Sequence, residues 1–162
     1  MIVVSDTTPL NYLVLIRAID LLPQMFAEVY IPSAVIQELL HAMAPAPVRA
    51  WAGRPPSWLH IANPAARLPS TARLDAGEGD AISLARERGI QDILIDEKAG
   101  RRIAQAEGLF VLPTITLLER ADELRLLDFA VAIQSLRTTT FRAPADKIAA
   151  ALQRVAARRR TT

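Results

Sequence analysis

Cysteine is absent from the 162 residues, and histidine occurs only twice, as His41 and His60. The first absence excludes a disulfide framework and any thiolate metal site. The scarcity of histidine argues against a histidine-rich zinc centre. Long hydrophobic runs are missing too: nothing approaches the roughly 20 apolar residues of a membrane-spanning helix. The apolar start runs straight into Asp6, which does not fit a signal peptide. Aromatics are sparse at 5% and charge is moderate at 22%, yet 51% of residues are hydrophobic. That balance excludes a disordered or low-complexity chain. The expectation is a soluble, cytoplasmic protein with no membrane association. Its length suits a single domain over 1–162 with a sizeable core.

The net charge of +2 is unevenly spread. Arg154, Arg158, Arg159 and Arg160 lie near the C-terminus; without them the 17 acidic residues outnumber the basic ones. A basic tail can lean on phosphates. It equally suits a helix end, where cations favour the dipole, and the commoner reading is this second one.

The first dozen residues organise the rest. Ile2, Val3 and Val4 read as a strand buried on both faces. Thr8 suits the N-cap and Pro9 the first position of a helix that follows. Asp6 is thereby placed at the carboxyl end of a strand, the edge where open α/β sheets bind ligands. A short helix over Ala18–Phe26, a strand at Val29–Ile31 and a helix from Ser33 to about Ala42 come next. The proline-rich stretch from Ala44 to Pro69 reads as a long connection, with a helical turn near Val48–Ala52 and a short strand at Leu59–Ala62. Asp75 then suits the N-cap of a helix through Arg88, with Glu78 as its capping-box partner and Gly89 closing it. Ile93–Ile95 and Phe110–Leu112 read as strands around a helix from Ala99 to Glu107. From about Ile115 the pattern is helical: Ile115–Glu123, Leu127–Leu136 and Ala145–Arg159. This β-α alternation predicts helices on both sides of a central, mainly parallel sheet.

Four carboxylates fall where the apolar pattern predicts burial or a strand end. Asp6 and Asp96 each follow an apolar strand, Glu38 is flanked by Val35 and Leu39 on an inward stripe, and Glu78 heads the stripe Glu78-Ile82-Ala85. Each has an ordinary explanation alone. Glu78 can cap a helix, Asp80 can favour its positive end, Asp96 can be an N-cap, and Glu38 can pair with an arginine. Four recurrences of the same placement point elsewhere, because buried carboxylates are costly unless paired or metal-bound. All-oxygen donors favour a hard ion, Mg²⁺ or Mn²⁺. Converging carboxylates that hold such ions typically serve in-line phosphoryl transfer. Asp80 and Glu97 are further candidates beside the four. Trp51 and Trp58, near Arg49 and Arg54, can stack on bases, but core packing is their commoner use.

The ordered set Val4-Ser5-Asp6-Thr7-Thr8-Pro9-Leu10, Val35-Ile36-Gln37-Glu38-Leu39, Gly77-Glu78-Gly79-Asp80-Ala81-Ile82 and Leu94-Ile95-Asp96-Glu97 resembles the PIN-domain family, and within it the VapC-like prokaryotic group. The resemblance runs from the first strand to about Leu118. It implies a three-layer α/β/α sandwich and an Mg²⁺- or Mn²⁺-dependent ribonuclease site. It places Asp6, Glu38, Glu78 and Asp96 at the family's acidic positions, with Thr8 supporting the first aspartate. Counting back from Gly89, Glu78 fits the third position better than Asp80. Leu112-Pro113-Thr114 stands where close relatives often have a glycine-containing turn. The resemblance further implies an RNA substrate, a cognate antitoxin and a homodimer. The proline-rich segment and the C-terminal helices are the candidate partner surfaces. Two other readings compete. A haloacid-dehalogenase-like phosphatase wants an aspartate where Thr8 stands, and a catalytically silent RNA- or protein-binding module has no use for four acids where phosphates approach.

Overall fold

The computed structural model describes residues 1–161. The chain divides into two compact units, Met1–Pro113 and the part from Thr114 onward. The first unit begins with β1 (Ile2–Ser5), α1 (Thr7–Leu15), a 3-10 turn at Ile19–Leu21, α2 (Leu22–Met25) and β2 (Glu28–Ile31). It continues through α3 (Ser33–Leu40), α4 (Ala46–Ala52), β3 (Leu59–Ile61) and a second 3-10 turn at Pro69–Thr71. It closes with α5 (Ala76–Arg88), β4 (Asp92–Leu94), α6 (Lys98–Ala106) and β5 (Phe110–Leu112).

The five strands pair in the order β3-β2-β1-β4-β5, every neighbouring pair parallel. Right-handed crossovers put the helices between β1 and β3 on one face and α5 and α6 on the other. The result is a three-layer α/β/α sandwich. Val3, Val4, Ile93 and Leu94 are fully buried. Because successive strand side chains point to opposite faces, both faces of the sheet are covered. One core joins Val4 and Ile93 to Ala81, Ile82, Leu84 and Ala85 of α5 and Ala104 of α6. The chain leaves β1 in one direction and β4 in the other. The crevice between their carboxyl ends is therefore the topological switch point of the sheet.

Several local expectations shift by a residue or two. Asp6 itself, extended at φ −81° and ψ 175°, is the N-cap of α1. Pro9 therefore stands in the first turn, where an amide N–H has no intrahelical partner to lose. Glu97, rather than Asp96, is the N-cap of α6. Asp75 caps α5 as anticipated, its Oδ1 accepting the Glu78 N–H at 2.8 Å. Gly89 closes that helix in the left-handed region at φ +65°. The connection from Ala44 to Pro69 is more ordered than its prolines foretell: Pro45 is the N-cap of α4, and Pro47 stands in its first turn. Trp51 and Trp58 pack on each other with ring centroids 6.1 Å apart.

The second unit holds α7 (Thr114–Glu123), α8 (Phe129–Arg137) and α9 (Ala145–Arg160). Leu117, Leu118, Ala121, Phe129, Ala132, Ile133, Leu136, Ala151 and Val155 are buried in it. No helix of the described residues is long and apolar enough to cross a membrane.

Candidate active site

β1 and β4 pair in register as far as Ser5 and Leu94, and the Asp6 N–H donates to the Leu94 carbonyl at 2.9 Å. This last rung brings the two strand ends side by side, so that Asp6 and Asp96 emerge from neighbouring strands. Asp6 is buried at 3% exposure, and Asp96 is half-buried. The Asp6 carboxyl is held well above the usual aspartate range. Burial is the main cause, opposed by the Thr7 backbone N–H and reinforced by Glu78, Asp75 and Glu38.

Helices from opposite faces deliver two more carboxylates over this edge. Gly77, in the first turn of α5, marks where they meet. A Cβ built on it would lie 2.6 Å from Glu38 Oε1 and 3.2 Å from Asp6 Oδ1. Only glycine leaves that space to the two carboxylates. Glu38 is an exposed residue, not the buried one its flanking Val35 and Leu39 predict. It lies near the end of the short helix α3, between the exposed Gln37 and the buried Leu39. Its Oε2 accepts the Thr7 hydroxyl at 2.6 Å. The hydroxyl that the acids engage is therefore Thr7's, next to the residue expected, because α1 begins at Thr7 rather than after Thr8.

Glu78 is 5% exposed. Its Oε1 is a buried oxygen with no hydrogen-bond partner. The capping box is thus only half made: Asp75 receives the Glu78 N–H, while the Glu78 carboxylate turns toward α6. There Gly100 admits it, since a Cβ at Gly100 would lie 2.9 Å from Glu78 Oε1 and 2.5 Å from Ile95 Cδ1. Burial, then the charges of Asp75, Glu97 and Glu38, push the Glu78 carboxyl up to about 7. Among the described residues no ion pair reaches Asp6, Glu38 or Glu78. Among the described residues no three His, Asp or Glu side chains stand close enough, as placed, to enclose one ion.

The two further candidates separate. Glu97 is exposed but belongs electrically to the cluster, since its charge acts on Glu78. Asp80 lies 3.8 Å from Arg67 Nε.

Besides Thr7, sequence reasoning missed the roles of four residues. Asp75 adds a charge felt by both Asp6 and Glu78. Gly77 and Gly100 leave room for the carboxylates, a signal visible in the sequence only as glycines in helix first turns. Arg67 has no sequence signal at all. Its Nη2 donates to the carbonyls of Thr71, Leu74 and Asp75 at 3.2, 2.8 and 2.6 Å. Its guanidinium fills the space beside Gly79, where any Cβ would overlap it. Arg67 thereby braces the turn that starts α5 and so positions Gly77 and Glu78.

Chemically, Asp6, Glu38 and Glu78 are oxygen donors that no ion pair reaches among the described residues. Buried carboxylates are expensive in that state, and a bound cation is the simplest remedy.

No curated protein and no solved structure matches the chain. A family model described as a PIN domain matches residues 2–157, nearly the whole length. The chain belongs to the PIN-domain family, whose members are typically metal-dependent nucleases.

Proposed function

We propose that this chain is a divalent-metal-dependent endoribonuclease of the VapC-like kind, the toxin of a toxin–antitoxin pair, hydrolysing RNA phosphodiesters. The observation that carries the reading is the meeting of the Asp6 and Glu38 carboxylates at Gly77, beside the partnerless buried oxygen of Glu78. A carboxylate set of this kind fits Mg²⁺ or Mn²⁺. Asp6, Glu38, Glu78 and Asp96 would hold the ion, with Glu97 adding negative charge and Asp80 committed to Arg67. When bound, such an ion activates water and steadies the leaving oxygen.

The chain's own residues do the rest. Thr7 holds Glu38 by its hydroxyl. The rung from Asp6 N–H to Leu94 fixes Asp6 at the strand end. Glu78, titrating at about 7, holds a proton near neutrality that cation binding must displace. The surplus negative charge repels RNA phosphates until a cation offsets it. A silent binding module gains nothing from that arrangement.

The test is cleavage of structured and single-stranded RNAs with Mg²⁺, Mn²⁺ or EDTA, comparing wild type with Asp6→Asn. Metal-dependent cleavage lost in the variant is the expected result. No cleavage together with no calorimetric metal binding would leave the silent-module reading. Growth arrest and RNA loss on expression without a partner test the toxin role. Light scattering tests the homodimer, which a monomer at every concentration overturns.

A further inference from the structure

A groove of about 410 Å³ opens beside the acidic edge, lined by Ala34, Gln37, Glu38, His41, Ala44 and Ala76. It is continuous with the site. Glu38 belongs to both, and Ala76 precedes Gly77, where the carboxylates meet. Its outer wall is built rather than loose. The Ala44 N–H donates to the His41 carbonyl at 2.9 Å. Arg49 Nη1 donates to the Ala42 carbonyl at 2.9 Å. The Met43 N–H donates to His41 Nδ1 at 3.0 Å. That last bond makes Nδ1 an acceptor, so the neutral ring carries its proton on Nε2 and presents a donor there.

We infer that this groove receives an unpaired nucleobase adjoining the scissile phosphate, and that Gln37 and His41 read its edge. The inference rests on the ribonuclease reading and deepens it. Three features select a base over backbone. The lining has no lysine or arginine to hold a phosphate, and Glu38 repels one. The methyls of Ala34, Ala44 and Ala76 offer flat apolar contact for a ring. The exposed Gln37 amide supplies a donor and an acceptor together, the pairing that matches a base edge. Sequence-specific RNA recognition works in this way, on splayed bases of single strands. The groove adjoins the acidic edge directly, because Glu38 belongs to both and Ala76 precedes Gly77.

The experiment digests a randomised single-stranded RNA pool with Mg²⁺ or Mn²⁺ and sequences the new ends. It compares wild type, Gln37→Ala, Gln37→Glu and His41→Ala, with thermal melting to confirm that each is folded. Gln37 is exposed, so its two variants carry the test even if His41→Ala loosens the wall. Wild type is expected to prefer particular bases at one position beside the cut. Gln37→Ala should weaken that preference about 5- to 100-fold, as the loss of one base-edge contact does. Gln37→Glu should change which base is favoured at the same position. A preference retained by every variant, or no preference at either flanking position in wild type, overturns this inference alone. A wild type that cuts no RNA overturns the ribonuclease reading and this inference with it.

Discussion

The acidic residues of the two units behave in opposite ways. At the carboxyl edge of the sheet, Asp6 and Glu78 are buried without a cation and their carboxyls are raised. In the C-terminal unit, Glu119 is also buried, at 9% exposure, but Arg154 grips it with two hydrogen bonds of 2.8 and 3.0 Å. The Arg154 hydrogen bonds, outweighing burial, hold the Glu119 carboxyl below the usual glutamate range. Arg158 bridges Glu119 and Glu123, and Arg159 bridges Asp122 and Asp128. Asp122 also accepts the Phe129 N–H at 2.8 Å, which helps start α8. Three of the four tail arginines are therefore spent on joining α9 to α7 and the start of α8. A carboxylate whose charge is met inside the fold supports the structure. One whose charge is left unmet awaits something from outside, and this is what separates the candidate site from the rest of the chain.

The comparison breaks most visibly at Asp6. Asp6→Asn removes a buried charge and a donor oxygen. RNA cleavage is expected to fall about 10³-fold, since metal-centred charge stabilisation is worth several kcal/mol. The metal-free protein should be no less stable. A melting temperature that falls with activity would mean that Asp6 serves folding instead.

Glu78→Gln sharpens the contrast through pH. A carboxyl at about 7 in the folded chain and near 4.5 unfolded binds more protons folded than unfolded in between. Stability of the metal-free protein therefore falls as pH rises from about 4.5 to 7 and stays low above. Urea unfolding in EDTA at pH 8 should show the variant about 2 kcal/mol more stable than wild type, a gain that disappears by pH 4.5. An unchanged pH profile would count against the unmet charge.

Arg67→Ala removes the brace before α5. A loss of about 2 kcal/mol in stability is expected from the three carbonyl acceptors left behind. Added guanidinium at low millimolar concentration should restore part of the Mn²⁺ affinity, which a merely destabilised chain would not regain.

Gly77→Ala places a methyl among the carboxylates. Because Glu38 is exposed and can yield, the melting temperature should barely move. Calorimetric Mn²⁺ affinity should drop about tenfold, or about 1.4 kcal/mol. Full affinity would show that the ion does not use this space.

Glu119→Gln is the mirror of Glu78→Gln, with the smallest effect. Its lowered carboxyl contributes stability above the unfolded value near 4.5, and this is lost as pH falls through the folded value. A cost of about 1 kcal/mol at pH 7, fading in acid, is expected because the partner arginines are partly exposed.

The division between what was legible and what was not follows physical lines. Strands such as Phe110–Leu112 and helices such as Ala145–Arg160 stand where apolar periodicity puts them. Helix starts were less legible: Thr8 has the right chemistry for a cap, but the rung from Asp6 to Leu94 ends the strand earlier and starts the helix on Asp6. A cap is decided by where the sheet releases the chain, a tertiary matter. The tail arginines read more readily as a solvated helix end than as phosphate ligands. Their pairing with α7 and the start of α8 lay some 31 to 39 residues away and carried no local signal.

By itself, then, the sequence determined the alternation of strands and helices, the sandwich that alternation requires, and which acids stand at strand ends. Those follow from local periodicity and turn chemistry. Only the tertiary structure decided that Glu38 reaches the edge from solvent, that Gly77 is where it meets Asp6, that Glu78 lacks a partner, and that Asp80 belongs to Arg67. Charge acts through space, so which carboxylates are met and which are left waiting is settled only when distant segments come together.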